Sequence, residues 1–121
     1  MDGWVTIAEI KEILRQFHEA RDWAQFHDPK NIASAISIEA AELEEIFLWK
    51  TKEEIATKLL TDPTFKARVE EELADIVSYC FTFANSTGID IATVTKAKIV
   101  KNGEKYPVEK AKGRSDKYTQ L

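Results

Sequence analysis

Ile32-Ala33-Ser34-Ala35-Ile36-Ser37-Ile38-Glu39-Ala40-Ala41-Glu42-Leu43-Glu44-Glu45-Ile46-Phe47 is the stretch on which the fold turns. Ile32, Ile36, Leu43, Ile46 and Phe47 recur at steps of three and four, the period of one helix face. Glu39 falls inside that stripe, bracketed by Ile36 and Leu43, and Glu42 follows one turn later. A second stretch repeats the pattern. Phe65, Val69, Leu73, Ile76, Tyr79, Cys80 and Phe83 form an apolar series interrupted by Glu72, with Asp75 three residues on. Each acidic pair is spaced i, i+3 and shares one face of one helical turn, and the surrounding apolar residues make that face the inward one. No alternating strand pattern occurs, so the class is all-α, of four-helix-bundle type.

Local chemistry marks the helix boundaries. Thr6-Ile7-Ala8-Glu9 and Thr51-Lys52-Glu53-Glu54 are capping boxes. Asp28-Pro29 and Asp62-Pro63 each place an N-cap acid before a proline suited to the first helical position. These signals predict helices over about 6–24, 29–48, 51–60 and 63–86. The last of these ends at Asn85-Ser86-Thr87-Gly88, with Gly as the left-handed stop. Asp90 opens a further helix expected to stop near Asn102-Gly103, followed from about 104 by an ordered but irregular basic tail. Trp23 is expected to end the first helix and Trp49 the second.

At 121 residues, 44% hydrophobic and 31% charged, the chain reads as a single globular domain spanning 1–121. No apolar run approaches the roughly 20 residues that span a bilayer. No basic segment followed by an apolar one opens the chain, so no secretory signal is expected. The lone Cys80 fits a reducing, cytoplasmic setting and reads as a core residue. The net charge of −4 argues against a nucleic-acid polymer as partner. Its distribution is uneven. Eight basic and three acidic residues lie between Lys96 and Lys117, a net +5 that leaves −9 elsewhere. A chain this short, with apolar positions on more than one face, is expected to complete its core as a homodimer or homotetramer.

Acids at i, i+3 are common by chance. Acids within apolar stripes are not, because a charged Glu there needs compensation. No Lys or Arg stands on these faces, so a cation from outside the chain is the natural partner of Glu39, Glu42, Glu72 and Asp75. Carboxylates without His or Cys suit a hard divalent ion, Mg²⁺ first and Mn²⁺ next. A bundle di-iron site requires Glu-x-x-His, and neither His18 nor His27 has Glu three residues before it. Trp23, Trp49 and Tyr79 read either as packing anchors or as a stacking slot for a nucleobase. Lys98 and Asn102, spaced i, i+4, read with Tyr106 as one side of a phosphate site.

Arg21-Asp22-Trp23 with Gln25-Phe26-His27, Glu39-x-x-Glu42, Phe47-x-Trp49-Lys50, Glu71-Glu72-Leu73-x-Asp75, Lys98-x-x-x-Asn102, Tyr106-Pro107 and Lys117-Tyr118-Thr119 occur in that order. Together they resemble the MazG-like all-α nucleoside triphosphate pyrophosphohydrolases, nearest the dCTP pyrophosphatase branch. The resemblance implies Mg²⁺-dependent hydrolysis of a nucleoside triphosphate to monophosphate and pyrophosphate by a dimeric or tetrameric enzyme. It implies Glu39, Glu42, Glu72 and Asp75 as metal ligands, with Glu42 and Glu39 as catalytic carboxylates. It implies Trp23, Trp49 and Tyr79 at the base and Lys98, Asn102 and Tyr106 at phosphate and sugar. That branch carries a substrate-contacting His in its first helix where this chain has Leu14, and His18 lies a turn further on. Base preference therefore stays open. So do two alternatives, a non-catalytic helical interaction module and a phosphoribosyl-nucleotide pyrophosphohydrolase.

Overall fold

The structure, a computed structural model, describes residues Met1–Leu121. Six α-helices follow in order: α1 Ile7–Ala20, α2 Pro29–Phe47, α3 Lys52–Thr61, α4 Pro63–Thr87, α5 Ile91–Lys105 and α6 Val108–Ala111. Short 3-10 turns occupy Ala24–Phe26 and Tyr118–Gln120, and there are no strands. No helix is long and apolar enough to cross a membrane. The chain divides into two compact units, Met1–Gly88 and Ile89–Leu121.

The caps form as the local chemistry requires. Thr6 Oγ1 accepts from the Glu9 amide at 3.1 Å, and Glu9 accepts from the Thr6 amide at 3.0 Å. Thr51 and Glu54 repeat the reciprocal pair. Asp28, Asp62 and Asp90 each accept the amide three residues on, satisfying donors that a helix start leaves orphaned. Gly88 ends α4 in the left-handed conformation at φ 72°, where a side chain would be strained.

Four boundaries differ from the sequence reading. The first helix stops at Ala20, because Asp22 turns left-handed at φ 55°, so Trp23 lies beyond it on the approach to the 3-10 turn. α2 stops at Phe47, and Trp49 stands outside it at φ 65°. α5 runs through Gly103 to Lys105. The helix ends where Pro107 disfavours helical backbone at Tyr106. The tail is not wholly irregular, since α6 and the final 3-10 turn both lie within it.

In the first unit α4 is the central element. It packs along α2 and also receives α1 and α3. The buried side chains are Ile32, Ile46, Phe65, Thr82 and Ala84, all on α2 and α4. Phe47 meets Phe65 edge-on with ring centroids 6.1 Å apart. Burying an Ile or Phe side chain contributes about 1.5–3 kcal/mol, so this small set anchors the pair. The Asn85 amide donates to the Lys11 carbonyl at 3.0 Å and Ser86 Oγ to the His27 carbonyl at 2.8 Å. These two bonds tie α1 and the turn after it to the end of α4. In the second unit, Tyr106 meets Tyr118 edge-on at 6.0 Å and the Lys105 ammonium lies 4.7 Å from the Tyr118 ring.

Candidate active site: an acidic seam beside an aromatic cleft

The apolar stripes of α2 and α4 face each other, which brings their interrupting acids together. Glu39, Glu72 and Asp75 present carboxylate oxygens within 4.8 Å of one another. Glu39 and Glu72 are half-buried, and each has one buried oxygen with no hydrogen-bond partner. No Lys or Arg forms an ion pair with Glu39, Glu42, Glu72 or Asp75. Contrary to a strictly inward reading of both pairs, Glu42 and Asp75 are exposed. Positions i and i+3 stand roughly 60° apart around a helix, so one member of each pair rides at the rim. Glu42 adjoins Glu39 but lies outside the three-oxygen cluster.

The electrostatic consequence falls on Glu39. Its carboxyl is pushed up to about 7, first by burial, then by contact with the Glu42 and Glu72 carboxyls, and then by the charges of Glu42 and Asp75. An ionised carboxylate only accepts hydrogen bonds. Neighbouring carboxylates must therefore share a proton or a cation. Buried oxygens lacking a donor, an all-carboxylate donor set and the absence of a local basic partner fit a hard divalent cation.

A cavity of about 320 Å³ opens next to the seam. From α1 it is lined by Ile13, Leu14, Phe17 and His18, and from the following turn by Trp23 and His27. From α4 it is lined by Asp75, Ser78, Tyr79 and Thr82. Asp75 thus belongs to both the acidic cluster and the cleft, which makes the two contiguous. Phe17 and Trp23 are edge-on at 5.7 Å, and the Arg21 guanidinium carbon lies 3.7 Å from the Phe17 ring centroid.

Of the aromatic residues singled out from the sequence, Trp23 and Tyr79 line this cleft. Trp49 does not, and is 93% exposed. Lys98 and Asn102 come together in the second unit, where with Val94, Thr95 and Ile99 they line a shallow groove. Tyr106, at the end of α5, is outside that groove. Sequence reasoning assigned no site role to Phe17, His18 or His27, nor to Ser78 and Thr82. A signal for the last two existed: Asp75, Ser78, Tyr79 and Thr82 follow the i, i+3, i+4, i+7 pattern of one helix face.

The chain is similar to known proteins over nearly all its length. It is 35% identical to dCTP pyrophosphatase 1 of Bos taurus and 34% identical to that of Homo sapiens, each over 96% of this chain and 68% of the relative. Its structure resembles the crystal structure of a pyrophosphatase from Archaeoglobus fulgidus, with a TM-score of 0.76 and 40% identity, covering 83% of this chain and 91% of that one. Residues 34–121, which carry both acidic pairs, match the MazG-like family. With its all-helical architecture and paired acids on α2 and α4, the chain belongs to the MazG-like family.

Proposed function

We propose that this chain is a Mg²⁺-dependent nucleoside triphosphate pyrophosphohydrolase acting on a pyrimidine deoxynucleotide, with dCTP the first candidate. One observation carries the reading: Asp75 joins the aromatic cleft to a cluster of buried, unpartnered carboxylate oxygens. A stacking surface and a divalent-cation site side by side fit the two ends of a nucleotide. The likeness to dCTP pyrophosphatase 1 supports the substrate class.

Glu39, Glu72 and Asp75 would hold the cation, with Glu42 at its edge. When bound there, Mg²⁺ neutralises phosphate charge and lowers the pKa of a coordinated water. Trp23 and Tyr79 stack on the base, an interaction worth roughly 1–3 kcal/mol. Exposed and adjoining Glu39, Glu42 orients the attacking water and takes its proton. The oxygen–phosphorus bond forms at the α-phosphorus, the bond to the bridging α–β oxygen breaks, and pyrophosphate leaves. Within the second unit, the groove that holds Lys98 and Asn102 offers a cation and an amide suited to a phosphate, with Tyr106 at the end of α5.

The active form is a homodimer or homotetramer of this chain. Ile38, Leu73 and Val77 on α2 and α4 are exposed, as are Val94, Ile99 and Val100 on α5. Trp49 is left-handed and open, and packing within its own chain explains neither feature. Backbone strain at a bulky exposed residue fits a role that a second copy completes.

The test is a panel of deoxynucleoside and nucleoside triphosphates with Mg²⁺, with pyrophosphate and orthophosphate measured separately. Monophosphate and pyrophosphate should appear together, fastest from dCTP. Diphosphate and orthophosphate as first products would contradict attack at the α-phosphorus. No turnover of any nucleotide would remove the catalytic reading.

A further inference from the structure

His18 and His27 form a pair that the reaction at the acids does not use. Their ring centroids are 4.4 Å apart at an interplanar angle of 80°. Both line the aromatic cleft, and both also line a second, smaller recess of about 140 Å³. Arg15 and Glu19 contribute to that recess, together with Asn85 and Ser86. The paired imidazoles and Thr82 are the side chains common to the two spaces. Thr82 already donates its hydroxyl proton to the Ser78 carbonyl at 2.8 Å. The ring nitrogens of His18 have no hydrogen-bond partner in the protein.

Burial, and then the neighbouring His27 and Arg21, hold the His18 imidazole below its ordinary value, which favours the neutral ring. A neutral imidazole offers one N–H donor and one bare nitrogen acceptor, and the bond made by one nitrogen fixes the role of the other. The recess has room and polar groups for an ordered water at one nitrogen. That leaves the other to meet a ligand in the cleft. Phe17 and Leu14 beside it are apolar, and Trp23 and Tyr79 offer stacking faces that every base satisfies. Stacking alone cannot tell cytosine from uracil or thymine. These bases differ in the donor and acceptor pattern of their pairing edge.

On the nucleotide-hydrolysis reading above, we infer that His18 is the specificity-determining residue of the cleft, hydrogen-bonding the pairing edge of the pyrimidine from the wall between the two cavities. A site built to bond a polar edge discriminates far better than an apolar pocket, because a mismatched base leaves buried groups unpaired.

Kinetics of dCTP, dUTP and dTTP hydrolysis by full-length wild type, His18→Ala, His18→Phe and His18→Gln test this. His18→Phe keeps a ring against Trp23 and His27 but removes both nitrogens. His18→Gln keeps a donor and an acceptor. Wild type should discriminate among the pyrimidines. His18→Phe and His18→Ala should lose about 10–100-fold in kcat/KM for the preferred base, mainly through KM, and flatten the preference. His18→Gln should recover part of it. Pyrophosphate should remain the product throughout. A wild type that hydrolyses triphosphates without base preference would overturn the inference alone, as would a His18→Phe variant with unchanged preference. A wild type that hydrolyses no triphosphate would overturn the inference together with the reading beneath it.

Discussion

Two acidic clusters in this protein use the same residue types to opposite effect. On α1, Glu12 and Glu19 close on Arg15. Its Nε donates to Glu12 at 2.8 Å, and its guanidinium also meets Glu19. Between α2 and α4, Glu39, Glu72 and Asp75 converge with no basic residue paired to them. The hydrogen bond from Arg15 holds the Glu12 carboxyl below its ordinary range, whereas burial and neighbouring acids raise Glu39 to about 7. Carboxylates at helical spacing therefore carry little meaning until their counter-charge is located. On α1 the chain supplies it. In the seam it must come from a proton or from a bound cation.

Catalysis should separate the clusters most sharply. Glu72→Gln and Asp75→Asn keep side-chain shape and remove one ligand charge. Each should lower pyrophosphate release by about 10²–10³-fold, since a catalytic cation contributes several kcal/mol. Glu12→Gln should stay within about twofold of wild type. A steady-state assay at saturating Mg²⁺ checks this. Comparable losses at Glu12 would erase the distinction.

Thermal stability should divide them next. At a Mg²⁺ concentration of 100 times its Kd, linkage adds about 2.7 kcal/mol, a rise in Tm on the order of 10 °C for a chain of this size. Glu12→Gln should show the full rise. In Glu39→Gln and Glu72→Gln the rise should shrink. In chelator these two variants should melt no lower than wild type, because neutralising one of several crowded acids relieves repulsion. If they melt well below wild type in chelator, the seam is a structural network instead.

A smaller effect lies in the pH dependence without metal. Glu39 has a folded value of about 7 against an ordinary 4.5, so the native state binds more protons between those limits. Stability from this group is fully present below about 4.5 and is lost as pH rises through about 7. Glu12 has the opposite sign: its contribution is present above the ordinary carboxylate value and is lost as pH falls through its lowered one. Being a solvent-exposed pair, it should be hard to detect. Melts in chelator from pH 5 to 8 should slope downward for wild type and flatten in Glu39→Gln. Parallel slopes would remove Glu39 as the titrating group.

How far the sequence predicted these features follows from how local the physics is. Thr6 with Glu9, Thr51 with Glu54, and the Asp-Pro pairs at 28–29 and 62–63 placed four helix starts closely, because a cap satisfies donors within its own turn. Helix ends were harder. Asp22 and Trp49 take left-handed backbone without being glycine, and Gly103 is left-handed nowhere, so glycine alone was a poor guide. Glu39 and Glu72 were legible because each interrupts an apolar stripe. Glu42 and Asp75 were read as equally inward, but their i+3 offset carries them to the rim. The cleft was only half visible. Trp23 and Tyr79 stand out by type, and Thr82 shares a helix face with Asp75, but Phe17 and His18 acquire meaning only when α1 lies on α4, and no local pattern encodes that contact.

The central claim is that the seam between α2 and α4 takes a divalent cation that the chain itself does not replace. Mn²⁺ titration at pH 7.5, followed by the electron paramagnetic resonance signal of the free ion, measures it without substrate. Wild type and Glu12→Gln should both deplete free Mn²⁺ to the same stoichiometry, with Mg²⁺ competing, and Glu39→Gln combined with Glu72→Gln should leave the signal undiminished. Equal depletion by that double variant, or none by wild type, would contradict the account.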